Sequence, residues 1–521
     1  MASSDPKPND RILPFHDKIV TKLKPSLLYY VYNPSDPLAL HSAESLPSRE
    51  TQILDVIKTY AEHRPLGHYC YDLEMPLMLS PEGSPMSCRE TLEEFEPVNA
   101  HFSAQVHALF NALKACEDST TESNIPILHK DGLNLCIKLG LQSYDIGLEC
   151  WHRTLHSRRL FLTNAAALPA LSSVTKLEID TDHSYEISFD RTRPVSLRVP
   201  LELTLRLPAL QELDCSWLWE RTLVPFESPE LRRYTREWEG PWRDSRHEFA
   251  RAVDELHEQI PISLRKARIY FWKSRYAFNE DQGIAMPNLV YPADEDPISA
   301  GLRTLTSHLE ELDLRAFLTP DLFKSPVQWP RMRHLRIEFH PCRPDGSWYF
   351  VGPRDENPHP EGFEVTDDHY PPTSPNKEDE ELDEEWDQNW AGTDDHLPDM
   401  FRTEPLADRI EPLLSAFAIA LKDMPALEEA ALFTQLSWTP SEERLAQYGD
   451  EAPYDAEYGG RRWGLRYVPG KDGVDGLVEW QVGAWRPHED VIKLFEDLGS
   501  DGKVKMVWKP FDFMNWCGDY K

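Results

Sequence analysis

A short apolar pattern recurs along the chain, and it leaves few folds open. It is an apolar residue, two further positions, a second apolar residue, one position, and a third. The instances are Val174–Leu177–Ile179, Leu210–Leu213–Cys215, Leu264–Ala267–Ile269, Leu309–Leu312–Leu314, Met332–Leu335–Ile337 and Leu427–Ala430–Leu432. Four have a proline just upstream: Pro208, Pro261, Pro330 and Pro425. The last two apolar positions of each instance lie two apart, so on a strand they face one side. Helical stripes precede several of them: Phe249, Val253, Leu256 and Ile260; then Ile298, Leu302, Leu305 and Leu309; then Ile410, Leu413, Leu414, Phe417 and Leu421. A helix that returns the chain lets the next strand lie parallel to the last. No such unit can bury its apolar face alone, so neighbours must stack.

The expected fold is therefore α/β: an irregular leucine-rich-repeat-like array with parallel strands, over residues 165–351. It is irregular because the instances lie roughly 23 to 95 residues apart, against ~20–29 in a regular leucine-rich repeat. The Asn or Cys that closes a regular repeat core is also missing. Residues 1–50 are Pro- and Ser-punctuated and weakly patterned. Residues 51–164 read as a mainly helical N-terminal α+β region. Within it Ile53, Val56, Ile57 and Tyr60 share one helical face, and so do Phe102, Val106, Leu109, Phe110 and Leu113. A strand is expected around 134–142. Residues 401–521 hold the final unit and a C-terminal cap. There Trp463, Leu465 and Tyr467 alternate, Gly470 to Gly476 turns the chain, and a second alternating run makes a hairpin. A helix from Glu489 to Leu498 and a strand from Val504 to Trp508 follow.

Charge narrows the partners. Asp and Glu number 89 against 55 Lys and Arg, a formal charge of −34. Nucleic acids and anionic membranes bind clustered cations, through neutralised phosphates and released counterions. No such cluster stands out, so neither is expected as a partner. The N-terminal residues are polar, with no secretory apolar stretch, and no run reaches the ~18 apolar residues of a membrane span. Eight scattered cysteines without a C-x-x-C pair read as reduced thiols of cytoplasm or nucleus.

Residues 352–400 are rich in Asp, Glu and Pro, and 378–387 carry eight carboxylates in ten residues. Charge this dense resists packing, so the stretch reads as a disordered, solvated insertion. Trp386 and Trp390 within it leave a second reading open, an acidic-aromatic segment that docks on a basic partner.

Two stretches carry a family likeness. One runs from His340-Pro341 through Pro344-Asp345-Gly346-Ser347-Trp348-Tyr349-Phe350 and Gly352-Pro353-Arg354 to Gly362-Phe363-Glu364-Val365-Thr366 and Tyr370-Pro371-Pro372. The other is Met424-Pro425-Ala426-Leu427-Glu428-Glu429-Ala430, with Trp485-Arg486-Pro487 and Glu489 behind it. Together they resemble a family of fungal F-box and leucine-rich-repeat-like proteins, over roughly residues 65–515 and most specifically 335–372. The resemblance implies an N-terminal F-box that docks on the Skp adaptor of a cullin-type ubiquitin ligase, and an array that presents a substrate. Ile12-Leu13-Pro14-Phe15-His16 and Leu46-Pro47-Ser48-Arg49-Glu50 do not lead into an F-box pattern. The F-box itself reads as absent or degenerate.

No phosphate-binding loop, dinucleotide fingerprint, nucleophile elbow or H-E-x-x-H motif occurs. Asp367-Asp368-His369 and Asp394-Asp395-His396 could offer oxygen and imidazole to a metal, and His340 with Cys342 could do the same. Solvated acidic turns and a packed strand-end histidine are the plainer readings. Pro344-Asp345-Gly346 has turn chemistry. The aromatics after it read as core or as an exposed contact patch. The expected function is a non-enzymatic protein-interaction scaffold with no cofactor, no metal and no catalytic residue. Trp348, Tyr349, Trp386 and Trp390 are its candidate contacts. The alternative is an enzyme, such as a metal-dependent hydrolase using the Asp/His clusters.

Overall fold

The computed structural model describes residues 48–513, apart from 63–64, 77–89, 124–126, 141, 143–157, 182–192, 217, 219, 221–237, 273–280, 325–328, 371–376, 378–380, 382–398, 455–460, 472, 500–502 and 511. In chain order the helices are α1 (Arg49–Ala61), α2 (Leu92–Ser123), α3 (Val199–Thr204), α4 (Glu239–Leu256), α5 (Pro297–Leu305), α6 (Ala407–Lys422), α7 (Glu442–Tyr448) and α8 (Glu489–Glu496). The strands are β1 (His68–Leu73), β2 (Leu133–Leu139), β3 (Val174–Thr181), β4 (Glu212–Cys215), β5 (Lys266–Tyr270), β6 (Pro287–Asn288), β7 (Glu311–Ala316) and β8 (His334–Phe339). They continue as β9 (Phe350–Val351), β10 (Phe363–Glu364), β11 (Glu404–Pro405), β12 (Glu429–Leu436), β13 (Arg461–Val468), β14 (Gly476–Gln481), β15 (Val504–Lys509) and β16 (Asp512–Phe513).

Eleven strands make one mixed, mostly parallel sheet, in the order β1-β2-β3-β4-β5-β7-β8-β12-β13-β14-β15, and β16 pairs the start of β13. Pairing is parallel from β1 to β12, antiparallel through β12–β13–β14, and parallel again at β14–β15. The six segments with the apolar pattern become six neighbouring strands of this sheet. All eighteen of their apolar side chains are buried.

Register explains the pattern. One row of inward residues runs Tyr69, Leu135, Leu177, Leu213, Ala267, Leu312, Leu335, Ala430, Tyr467, Val478, Met506. A second runs Tyr71, Ile137, Ile179, then Cys215, Ile269, Leu314, Ile337, Leu432, Leu465, Trp480, Trp508. The rows pack against the helix stripes: Ile53 and Ile57 of α1, Phe249 and Val253 of α4, Ile298 and Leu302 of α5, and Leu413, Leu414 and Phe417 of α6 belong to the same contiguous core. These helices thus cover one face of the sheet.

The recurrent prolines have a backbone cause. The first apolar residue of five units donates its N–H to a carbonyl three residues back: Leu210 to Leu207, Leu264 to Pro261, Leu309 to Thr306, Met332 to Trp329 and Leu427 to Met424, at 2.9–3.3 Å. Pro208, Pro330 and Pro425 occupy the second position of these turns, where the fixed φ of proline is favoured. Beyond the turn a second contact recurs. The carbonyls of Gln211, Arg265, Glu310 and Arg333 each accept two successive N–H groups from the next strand's entry, at 2.7–3.1 Å.

Residues 51–164 hold α1, β1, α2 and β2, and their two strands extend the same sheet. The cap strands are likewise continuous with it. The structure differs from expectation in residues 352–370, which are built into the fold although their composition reads as part of the acidic insertion. β10 pairs in parallel with β6, and Tyr370 hydrogen-bonds Asp244 at 2.8 Å and accepts from Arg243 at 2.7 Å. A few well-placed partners outweigh acidic composition there. Most of 371–398, with the carboxylate run, lies outside the described residues.

Candidate interaction face

The other face of the sheet is polar, and from β4 onward the charges nearer the strand entries alternate in sign strand by strand. The residues that flank the apolar positions create this. In β4 they are Glu212 and Asp214, in β5 Lys266 and Arg268, in β7 Glu311 and Asp313, in β8 His334 and Arg336, and in β12 Glu429. β13 follows with Arg462 and Arg466, β14 with Glu479, and β15 with Lys505 and Lys509. Because neighbouring strands are in register, most of these charges reach an opposite one, although Glu178 of β3 lies opposite Asp214. Lys176 reaches Glu212 at 2.6 Å, Arg268 reaches Asp214 at 3.0 Å, Lys266 reaches Glu311 at 2.8 Å and Arg336 reaches Asp313 at 2.8 Å. Arg466 bridges Glu429 at 2.6 Å and Glu479 at 3.1 Å, and Lys509 closes the series on Glu479 at 2.8 Å. Lys509 and Arg466 hold the Glu479 carboxyl below the usual carboxylate range.

In three central pairs the cation is the more exposed partner, whereas Glu429 (44%) and Glu212 (39%) are more exposed than Arg466 (41%) and Lys176 (25%). The side chains of Arg268, Arg336 and Arg466 are 50%, 41% and 41% exposed, and their partners Asp214, Asp313 and Glu479 only 8%, 27% and 18%. Arginine stems lie along the sheet and carry their guanidinium heads outward, while the shorter acids stay beneath them. Burial pushes the Asp214 carboxyl up to about 6, against the pull of Arg268 and Lys176. Nearer the strand exits the face turns aromatic. Arg315 stacks 3.9 Å from the Tyr270 ring centre and hydrogen-bonds Glu338 at 2.8 Å. Phe433 lies beneath Arg336 and Arg462, at 4.7 and 3.9 Å. Such stacking keeps a guanidinium over an apolar ring at little cost in hydration.

The residues singled out from sequence lie elsewhere. Trp348 and Tyr349 are not an exposed patch: both are buried. After β8 the chain makes a tight turn in which Asp345 accepts from the Ser347 N–H at 3.0 Å and Gly346 takes φ +80°. The turn sends the aromatics back onto the strand ends. Trp348 packs under the buried Arg402 guanidinium at 4.8 Å, and the Tyr349 hydroxyl donates to the Leu318 carbonyl at 2.8 Å. Trp386 and Trp390 lie outside the described residues, as do Asp394, Asp395 and His396. Asp367–His369 form a single 3-10 turn in which the His369 ring accepts from the Thr366 N–H at 2.9 Å and stacks on Phe363. His340 is buried, stacked on Phe317 at 4.0 Å, and accepts from the Cys342 N–H at 3.0 Å. Among the described residues no group of three or more His, Cys, Asp or Glu is placed to hold a metal, and no helix is long and apolar enough to cross a membrane.

The sign alternation is visible in the sequence once the strand order is known: Gln211-Glu212-Leu213-Asp214, Arg265-Lys266-Ala267-Arg268, Glu310-Glu311-Leu312-Asp313, Arg333-His334-Leu335-Arg336. The signal missing from the sequence was adjacency. Compared with protein-family models, curated proteins and solved structures, the chain matches none.

Proposed function

We propose that this chain is a non-enzymatic protein-interaction scaffold whose open sheet face receives an acidic segment of a partner protein. The observation that carries the reading is the row of exposed Arg268, Arg336 and Arg466 side chains, each over a less exposed acid, on a chain of formal charge −34. Arginines supply bidentate donors for carboxylates, and a rigid sheet holds them at fixed spacing. The same reading takes the array as leucine-rich-repeat-like. Five equivalent entry turns and four equivalent paired N–H contacts support it, despite uneven unit length. Its narrower form is a substrate-binding adaptor of a cullin-type ligase that docks on the Skp adaptor, and its compartment is cytoplasm or nucleus.

The test starts from the partner captured by the full chain from its source cells. Binding of that partner is compared for the native protein and the triple variant R268Q/R336Q/R466Q. The reading expects affinity to drop by about tenfold or more, and native binding to weaken steeply with salt. Unchanged affinity in a variant of native circular dichroism would end it. Failure of the Skp adaptor to co-purify with the full chain would remove the narrower form alone.

A further inference from the structure

Two thiols close the far end of the polar face. Cys70 on β1 and Cys136 on β2 are direct register partners in parallel strands, and their sulfurs are 3.3 Å apart. Adjacent strands lie about 4.8 Å apart, within the span a disulfide bridges but at its short end. Both side chains point to the face that the helices leave open, flanked by half-buried His68 and Asp72, half-exposed Lys138 and exposed Asn134. Each is 3% exposed, and β1 is the edge strand of the sheet. Cys116 and Cys215, by contrast, are fully enclosed in the helix-covered core. The shared hydrogen bond, aided by Lys138, draws the Cys70 thiol below its usual range and pushes Cys136 up. Burial raises Cys116 to about 11 and Cys215 well above the ordinary thiol range.

We propose that Cys70 and Cys136 form a reversible oxidation site that takes up a peroxide and closes as a cross-strand disulfide. The Cys70 thiolate attacks a peroxide oxygen, the O–O bond breaks, and hydroxide leaves, so Cys70 becomes a sulfenic acid. Cys136 sulfur then attacks the Cys70 sulfur, its proton goes to the departing oxygen, and water leaves. Two thiols and one hydrogen peroxide give one disulfide and two waters. The bond pins the edge strand β1 to β2 across 66 residues of chain. An added thiol reopens the bond by thiol–disulfide exchange.

The test treats the reduced full-length protein with hydrogen peroxide, alkylates it after denaturation, and maps the peptides by mass. The expected result is loss of alkylation at two cysteines, appearance of the linked Cys70–Cys136 peptide, and full recovery with dithiothreitol. Cys70 should react about tenfold or more faster than Cys116 or Cys215, as thiolate fraction and its place outside the helix-covered core dictate. In C136S, dimedone should label Cys70 with no cross-link formed. Cys70 and Cys136 both remaining alkylatable in oxidised, still folded native protein, or either pairing with another cysteine, would overturn the proposal.

Discussion

Arg246 stands fully buried among hydrophobic side chains, between two carboxylates that are equally buried. It donates to Glu220, to Asp296 at 2.5 Å and to the Phe317 carbonyl at 3.2 Å. Asp296 in turn caps α5, accepting from the Ser299 N–H at 2.9 Å. The group ties α4, the entry to α5 and the exit of β7 into one unit, because each charge is tolerable only with the others present. R246A leaves two buried carboxylates unpaired, and a loss of about 3–5 kcal/mol is expected by urea unfolding. Asp214 makes a pH prediction. Its folded-state pKa of about 6 lies above the ordinary 3.8, so the folded protein holds that proton more tightly than the unfolded chain. The resulting stabilisation is full below about pH 4 and is lost as pH rises through about 6. Unfolding midpoints of the native protein should fall over that window relative to D214N. Parallel curves for the two proteins would contradict the assignment.

At the scale of elements, the strands were legible where period and turn chemistry agree. Each apolar trio needed only the two-residue strand period, and prolines marked the turn before four of the six. β1 and β2 were less so: the β1 trio Leu66–Tyr69–Tyr71 puts tyrosines where the others have aliphatic residues or cysteine, and β2's pattern reads as an isolated strand. The Trp348–Phe350 triplet shows the limit differently. Apolar content cannot tell an exposed patch from a segment folded back by a tight turn, and the Asp345–Ser347 bonds and Gly346 decide it. The switch from parallel to antiparallel pairing falls at β12–β13, where Gly464 has φ +152° and an added Cβ would lie 2.3 Å from the Leu432 carbonyl oxygen and 2.5 Å from Phe433 Cα. G464A must therefore part the two strands. A destabilisation of about 2 kcal/mol or more is expected by thermal or urea unfolding, with loss centred on the cap. A single surface pair should matter far less: K266Q should shift stability by under about 1 kcal/mol.

Across the whole molecule, charge order follows strand order from β4 to β15. A basic strand moved beside another basic strand would meet like charges, which directly opposite one another destabilise a sheet; β3 and β4 carry one such pair, Glu178 opposite Asp214. The apolar rows therefore drive stacking, while the polar rows bias which strands become neighbours. The resulting polar face presents Arg268, Arg336 and Arg466 at its surface, with Glu212 and Glu429 beside them. The most direct measurement is carboxyl footprinting of the protein with and without its captured partner. An acidic segment seated on that face should shield Glu212, Glu311 and Glu429 beneath it. Helix-side carboxylates such as Glu50 and Asp408 should label as before. Unchanged labelling of the sheet carboxylates, with protection on the helix side instead, would contradict the account.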